Sequence, residues 1–253
     1  PRETKNGGAW MTYWRAQGLN NGKLERPLIS IVANLTPSTE DKPSLLTYDE
    51  VQTIFHEFGH ALHGILSNVT YRSLASPDVY WDFVELPSQI MENWLAEKET
   101  LQIFAKHYET GEPMPTELVQ GMIAAKNQQS GMKVESQIYL GMIDQAYHTD
   151  EDGVVDTTQV GYDVYDATRL YKHTPETWHQ GGFGHLTGYQ AGYYGYMWSL
   201  VYAQDMFQRF NELGMLSPEA GAYYREKILS RGGTQDSLDM VRAKYEALRW
   251  SER

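Results

Sequence analysis

The stretch Thr53 to Gly64, TIFHEFGHALHG, sets three histidines and a glutamate on a single helical segment. Its helical character is legible at the start and along its length. Thr47 followed three residues later by Glu50 has the form of a capping box, which places the helix start near Tyr48. Val51, Ile54, Phe55, Phe58, Leu62 and Ile65 recur at the spacing of one helix face, and that stripe is expected to be the buried side. His56 and His60 fall roughly opposite it, at ~140° and ~180° on a wheel of 100° per residue.

Residues four apart on a helix stand one above the other, ~6 Å apart along the axis, so both imidazoles can reach one ion. Zinc takes imidazole nitrogens at ~2.0–2.1 Å, and a catalytic site uses three protein ligands plus a water. Glu57, next to His56, points slightly aside from the pair, where it can take a proton from the water without occupying the metal. The same letters suit three solvated histidines on a polar face, because H-E-x-x-H arises by chance. His63 lies ~10 Å along the axis from His56 and cannot join both others on one ion; a place behind the ligands or at the surface is expected. Gly59 costs roughly 1 kcal/mol against alanine inside a helix, so another backbone should approach it closely, with the 28–35 segment as the candidate.

Composition narrows the remainder. Hydrophobic residues make up 41% and charged residues 21%, enough for one substantial core or two modest ones. The net charge of −12 comes with scattered basic residues, which disfavours nucleic acid as a partner, and no apolar run approaches the ~20 residues of a membrane span. Zero cysteines excludes disulfides, thiolate ligands and a cysteine nucleophile. The opening PRETKNGGAW has neither an initiator Met nor a signal-peptide pattern, so a fragment of a longer chain is expected. A cytoplasmic location is expected, with the reservation that a targeting signal could have been lost.

Leu28 to Leu35, LISIVANL, alternates as a half-buried strand does. Beyond the capped helix the pattern is helical, with helices expected over 86–109, 116–148, 157–172, 191–213, 217–230 and 236–250. Thr149 to Asp156, TDEDGVVD, has its glycine at the wrong offset for an EF-hand and reads as a solvated turn.

A two-histidine helix needs a third ligand. Glu85, in VYWDFVELPSQIMENW, is flanked by Phe83, Val84, Leu86 and Pro87. Pro87 suits a first helical turn, which puts Glu85 near a helix N-terminus, where an ordinary acid is also favoured. A carboxylate among such apolar neighbours needs a cation or hydrogen bonds.

FHEFGHALHG followed by DFVELPSQIMENW resembles the thimet oligopeptidase, neurolysin, oligopeptidase A and peptidyl-dipeptidase family of zinc peptidases. The resemblance runs from GGAWM through the tyrosine-rich 185–198 segment. It implies one zinc ion held by His56, His60 and Glu85, with Glu57 as general base. It also implies a mainly α, zincin-like helical catalytic domain with a small β-sheet beside the zinc helix. Residues 1–253 would be the catalytic C-terminal portion of a longer chain whose missing N-terminal part forms one wall of a channel.

His179 to Tyr202, HQGGFGHLTGYQAGYYGYMWSLVY, lacks the features of a phosphate loop and reads as a mobile segment. Tyr189, Tyr193 and Tyr196 fall at i, i+4 and i+7, a stripe that core packing also explains. In the resembled family such a segment contacts the substrate and the developing oxyanion. That implies His185, Tyr189 and Tyr196 as catalytic groups and Tyr193, with Tyr189 and His185, as substrate-binding. Many family members have an extra glycine where this chain has HLTGY. Short peptides are the expected substrates. Internal cleavage by an oligopeptidase is favoured over release of C-terminal dipeptides by a peptidyl-dipeptidase, and a non-catalytic peptide-binding module stands as the rival class.

Overall fold

The computed structural model describes residues 4–242 apart from 150–152 and 154. It is mainly helical with a few short antiparallel strands and divides into two compact units, residues 1–114 with 199–253, and residues 115–198.

The first unit opens with β1 (Trp10–Arg15), β2 (Gly18–Asn20), β3 (Lys23–Glu25) and β4 (Leu28–Val32). β1 pairs antiparallel with β4, Trp10 opposite Val32, and β2 with β3. Helix α1 (Tyr48–Leu66) follows, and its capping box is complete: Thr47 Oγ1 accepts from the Glu50 N–H, and the Glu50 carboxylate accepts from the Thr47 N–H at 2.8 Å. Helices α2 (Leu86–Glu92) and α3 (Lys98–Phe104) come next, separated by a 3-10 turn over Asn93–Ala96 and an extended Glu97. The single helix expected over 86–109 is thus interrupted, and Trp94 at the break drives its ring between Phe207 and Phe210.

The second unit holds α4 (Thr116–Ala125), α5 (Ser130–His148) and α6 (Thr157–Thr168). Gln129, at φ 57, breaks the run expected over 116–148, within the polar sequence KNQQSG. Residues 150–152 and 154 of the TDEDGVVD segment and most of the helix expected over 236–250 lie outside the described residues. α7 (Gly195–Leu213) belongs to the first unit from Ser199 onward, and α8 (Pro218–Tyr224), capped by Ser217, runs into one π-helical turn over Arg225–Leu229. Phe83, Leu86 and Ile90 pack with Met206, Phe207 and Ile228 into the core of the first unit. Among the described residues no helix is long and apolar enough to cross a membrane.

The buried side of α1 differs from the apolar stripe. Phe58 and Ile65 are 45% and 47% exposed, whereas Glu57, Gly59, Ala61, His63 and Gly64 are buried. Small residues let neighbouring backbones come close, and that requirement overrides hydrophobic periodicity here. A Cβ on Gly59 would lie 2.1 Å from the Pro87 carbonyl oxygen, so the backbone that approaches Gly59 is α2. The β4 strand approaches at Gly64 instead, where a Cβ would meet Ile29 Cδ1 at 2.2 Å.

Candidate metal centre

Gly59 lets α2 lie against α1 with its first turn opposite the histidines. Glu85 caps α2 by position, yet its side chain makes no capping hydrogen bond and turns to α1. Its Oε2 lies 3.2 Å from His56 Nε2 and 3.1 Å from His60 Nε2, and Ser88 Oγ stands 2.8 Å from the same oxygen. Glu85 is 1% exposed. Burial alone would raise its carboxyl, but the two imidazoles hold it well below the usual carboxylate range, so it is ionised. Burial alone would likewise lower His56; the hydrogen bonds to Glu85 and Glu92 outweigh it and bring the imidazole to about 10.

One ligand atom from each of His56, His60 and Glu85 lies within 4.8 Å of the others. Atoms bound at ~2.0–2.1 Å around a tetrahedral ion stand about 3.3 Å apart. The two separations from Glu85 are close to that, and two nitrogens with one carboxylate are donors that zinc accepts. The residues present therefore fit such an ion.

Glu92 was not foreseen. Its Oε1 lies 2.7 Å from His56 Nδ1 and its Oε2 accepts from Gln52 Nε2 at 2.6 Å. The two nitrogens of His56 thus face the two acids of one helix, Glu85 at its start and Glu92 two turns on. A carboxylate on the far ring nitrogen fixes the tautomer and leaves Nε2 free for a metal. The signal was available in the sequence, since Glu92 follows Glu85 by seven residues and returns to the same helix face.

Glu57 is buried, and its Oε2 has no hydrogen-bond partner among the described residues. Burial pushes its carboxyl above the usual range, against the pull of His56 and His60. His63 is fully buried rather than at the surface, its ring edge-on to Phe83 at 6.4 Å and neither nitrogen hydrogen-bonded among the described residues. Burial lowers its imidazole to about 3, so it is neutral and acts as an apolar plug.

His185, Tyr189, Tyr193 and Tyr196 gather in the second unit. Their ring centroids lie 4.9–5.6 Å apart in neighbouring pairs, and His185 Nε2 stands 3.2 Å from Tyr196 Oη. They do not share one helix, as their spacing suggested, because α7 starts only at Gly195 and Ala191 turns the chain at φ 55. Asp144, on α5 and 1% exposed, holds that turn: its carboxylate accepts from the Ala191 N–H at 3.0 Å and the Tyr193 N–H at 2.9 Å. Gln145 Nε2 donates to the Ala191 carbonyl at 2.7 Å. Tyr193 is buried and its hydroxyl donates to Gln137 Oε1 at 3.2 Å.

The model of Peptidase family M3 matches residues 1–249. Oligopeptidase A of Escherichia coli is 39% identical over 251 residues, which cover 95% of this chain and 36% of that protein. Organellar oligopeptidase A of Arabidopsis thaliana is 37% identical over 92% of this chain and 31% of its own length. Dipeptidyl carboxypeptidase of Escherichia coli is 35% identical over 93% and 35%. The chain spans about a third of the length of these relatives.

Proposed function

Because the chain belongs to Peptidase family M3, we propose that residues 1–253 are the catalytic part of a longer zinc metallopeptidase that hydrolyses short peptides. The observation that carries the reading is the convergence of His56, His60 and Glu85 beside a buried Glu57. His56, His60 and Glu85 would hold a zinc ion, which would supply Lewis acidity toward the scissile carbonyl and the attacking water, and Glu92 keeps His56 turned with Nε2 inward. Glu57 takes the proton of the attacking water and passes it to the leaving amine, a role worth typically ~10²–10⁴-fold. Tyr189, with Tyr196 or His185, donates to the oxyanion, and Tyr193 contacts the peptide. A non-ligating acid retained beside the cluster argues against a binding module, which needs no base.

The complete protein should carry one zinc per chain, lose peptide cleavage on chelation and regain it when zinc returns. Chelator-resistant cleavage by a metal-free preparation would remove the reading. We take internal cleavage as the activity, as the relatives named oligopeptidase A suggest. A peptide amidated at its C-terminus should then be cut as fast as the free acid; an enzyme that releases C-terminal dipeptides would spare it.

Tyr189→Phe removes one hydroxyl and little volume. It should lower kcat by roughly 10²-fold, the scale for losing one oxyanion donor, with KM and melting temperature nearly unchanged. Tyr193→Phe should show its loss in KM. Wild-type kinetics in both, with lowered melting temperatures, would assign these hydroxyls to packing.

A further inference from the structure

We propose that the second unit carries a second ligand site, between α5, α6 and the 173–180 segment, that takes a small carboxylate bearing an aromatic or large apolar group. It is separate from the metal-centre reading. The cavity measures about 580 Å³, within the range of small-molecule sites. Tyr139, Tyr162, Tyr165 and Trp178 supply aromatic walls, and Arg169 is the one lining residue with a full charge. In a chain of net charge −12, a cavity whose own charge is positive selects for an anion.

Arg169 is half-buried and has no carboxylate partner among the described residues. Its Nη1 donates to Ser136 Oγ, and its guanidinium carbon lies 5.6 Å from the centre of the Tyr165 ring. Asp166, three residues before it in the last turn of α6, is the nearest acid in the sequence that could pair with it. The Asp166 carboxylate instead accepts from the His173 N–H at 2.9 Å, faces His173 Nδ1 at 3.0 Å and pairs with Lys172 at 3.4 Å. The guanidinium therefore keeps donors for a ligand, and its planar fork matches a carboxylate.

The Tyr162 wall is fixed in advance. His173 stacks on Tyr162 with centroids 4.1 Å apart, and the Tyr162 hydroxyl donates to the Thr177 carbonyl at 3.0 Å and accepts from the Thr177 N–H at 3.2 Å. On that side little side-chain freedom is lost on binding. Trp178, 64% exposed, stands where an apolar group would be covered.

The test titrates N-acetylphenylalanine, its amide and N-acetylalanine into the complete protein by calorimetry. The acid should bind saturably. The amide should bind at least tenfold more weakly, the scale of one charged hydrogen bond, and N-acetylalanine more weakly than N-acetylphenylalanine. Arg169→Gln should erase the preference for acid over amide. Because Arg169 also ties α6 to α5, Trp178→Ala, at an exposed position, serves as the second variant: it should weaken the acid severalfold at an unchanged melting temperature. Affinity should survive chelation, so loss of the metal reading leaves this result standing. No saturable binding, equal affinity for acid and amide, or binding abolished by chelation and untouched by both substitutions would overturn the proposal.

Discussion

Glu57→Gln should keep its metal and lose peptide cleavage, with kcat/KM down by about 10²–10⁴-fold. The substitution preserves shape in a buried position and removes the group that can hold a proton. Glu57 contributes no atom to the His56–His60–Glu85 cluster, so metal stoichiometry by elemental analysis should stay near the wild-type value. His60→Ala is the contrasting variant and should lose metal and cleavage together, because it removes one of three ligands and leaves Glu85 buried with a partner missing. Near-normal turnover by Glu57→Gln would remove Glu57 as the base and leave the metal assignment intact. Retention of metal by His60→Ala would do the reverse.

Gly59→Ala should be among the most damaging single-methyl changes in the first unit. The added Cβ would lie 2.1 Å from the Pro87 carbonyl oxygen and 2.6 Å from Ser88 Cα. Both are backbone atoms, so no rotamer change relieves the clash and α2 must move off α1. We expect a loss of about 3 kcal/mol or more, at the upper end of overpacking costs, or roughly 6–12 °C in melting temperature for a chain of this size. The same shift carries Glu85 away from both imidazoles, so zinc affinity should fall although Gly59 itself offers no ligand atom. Gly121, whose Cβ would meet nothing within 4 Å, is the control: Gly121→Ala should be neutral or stabilising. A Gly59→Ala protein with wild-type melting and metal content would show that the two helices are not held at contact distance.

The chemistry of the first unit was more legible than its packing. Thr47, Glu50 and the two histidines are local signals, read within a single helix, and the capping box and the start at Tyr48 stand as expected. Hydrophobic periodicity does not give the buried face of α1, because it assumes that burial follows apolarity. Here Gly59 admits the backbone of α2 and Gly64 the Ile29 side chain of β4, and His63 is buried as a neutral ring, so Phe58 and Ile65 take the exposed side. The spacing of Glu85 and Glu92 places both acids on one face of α2, but the pairing of Glu92 with His56 depends on how α2 lies across α1, a relation between elements that neither helix encodes alone. The strands β1 to β3 are short and carry little alternation. The helix expected to begin at 191 starts four residues later, because Ala191 is turned into the left-handed region at φ 55, a turn that the buried Asp144 carboxylate holds through the Ala191 and Tyr193 N–H groups.

The grip of α2 on His56 from both ring nitrogens has a thermodynamic consequence. Seating of the short helix and readiness of the ion site are one equilibrium, since Glu85 and Glu92 leave or arrive together. Anything that binds the assembled cluster and not the separated helices stabilises the α1–α2 pair by RT ln(1 + [L]/Kd), about 2.7 kcal/mol at a hundredfold excess over Kd. By reciprocity, loosening α2 weakens binding of the ion by the factor with which the seated population falls. A helix of seven residues, too short to persist alone, is thereby made a reporter of metal occupancy, and hydrogen exchange at its amides should slow in step with the free zinc concentration.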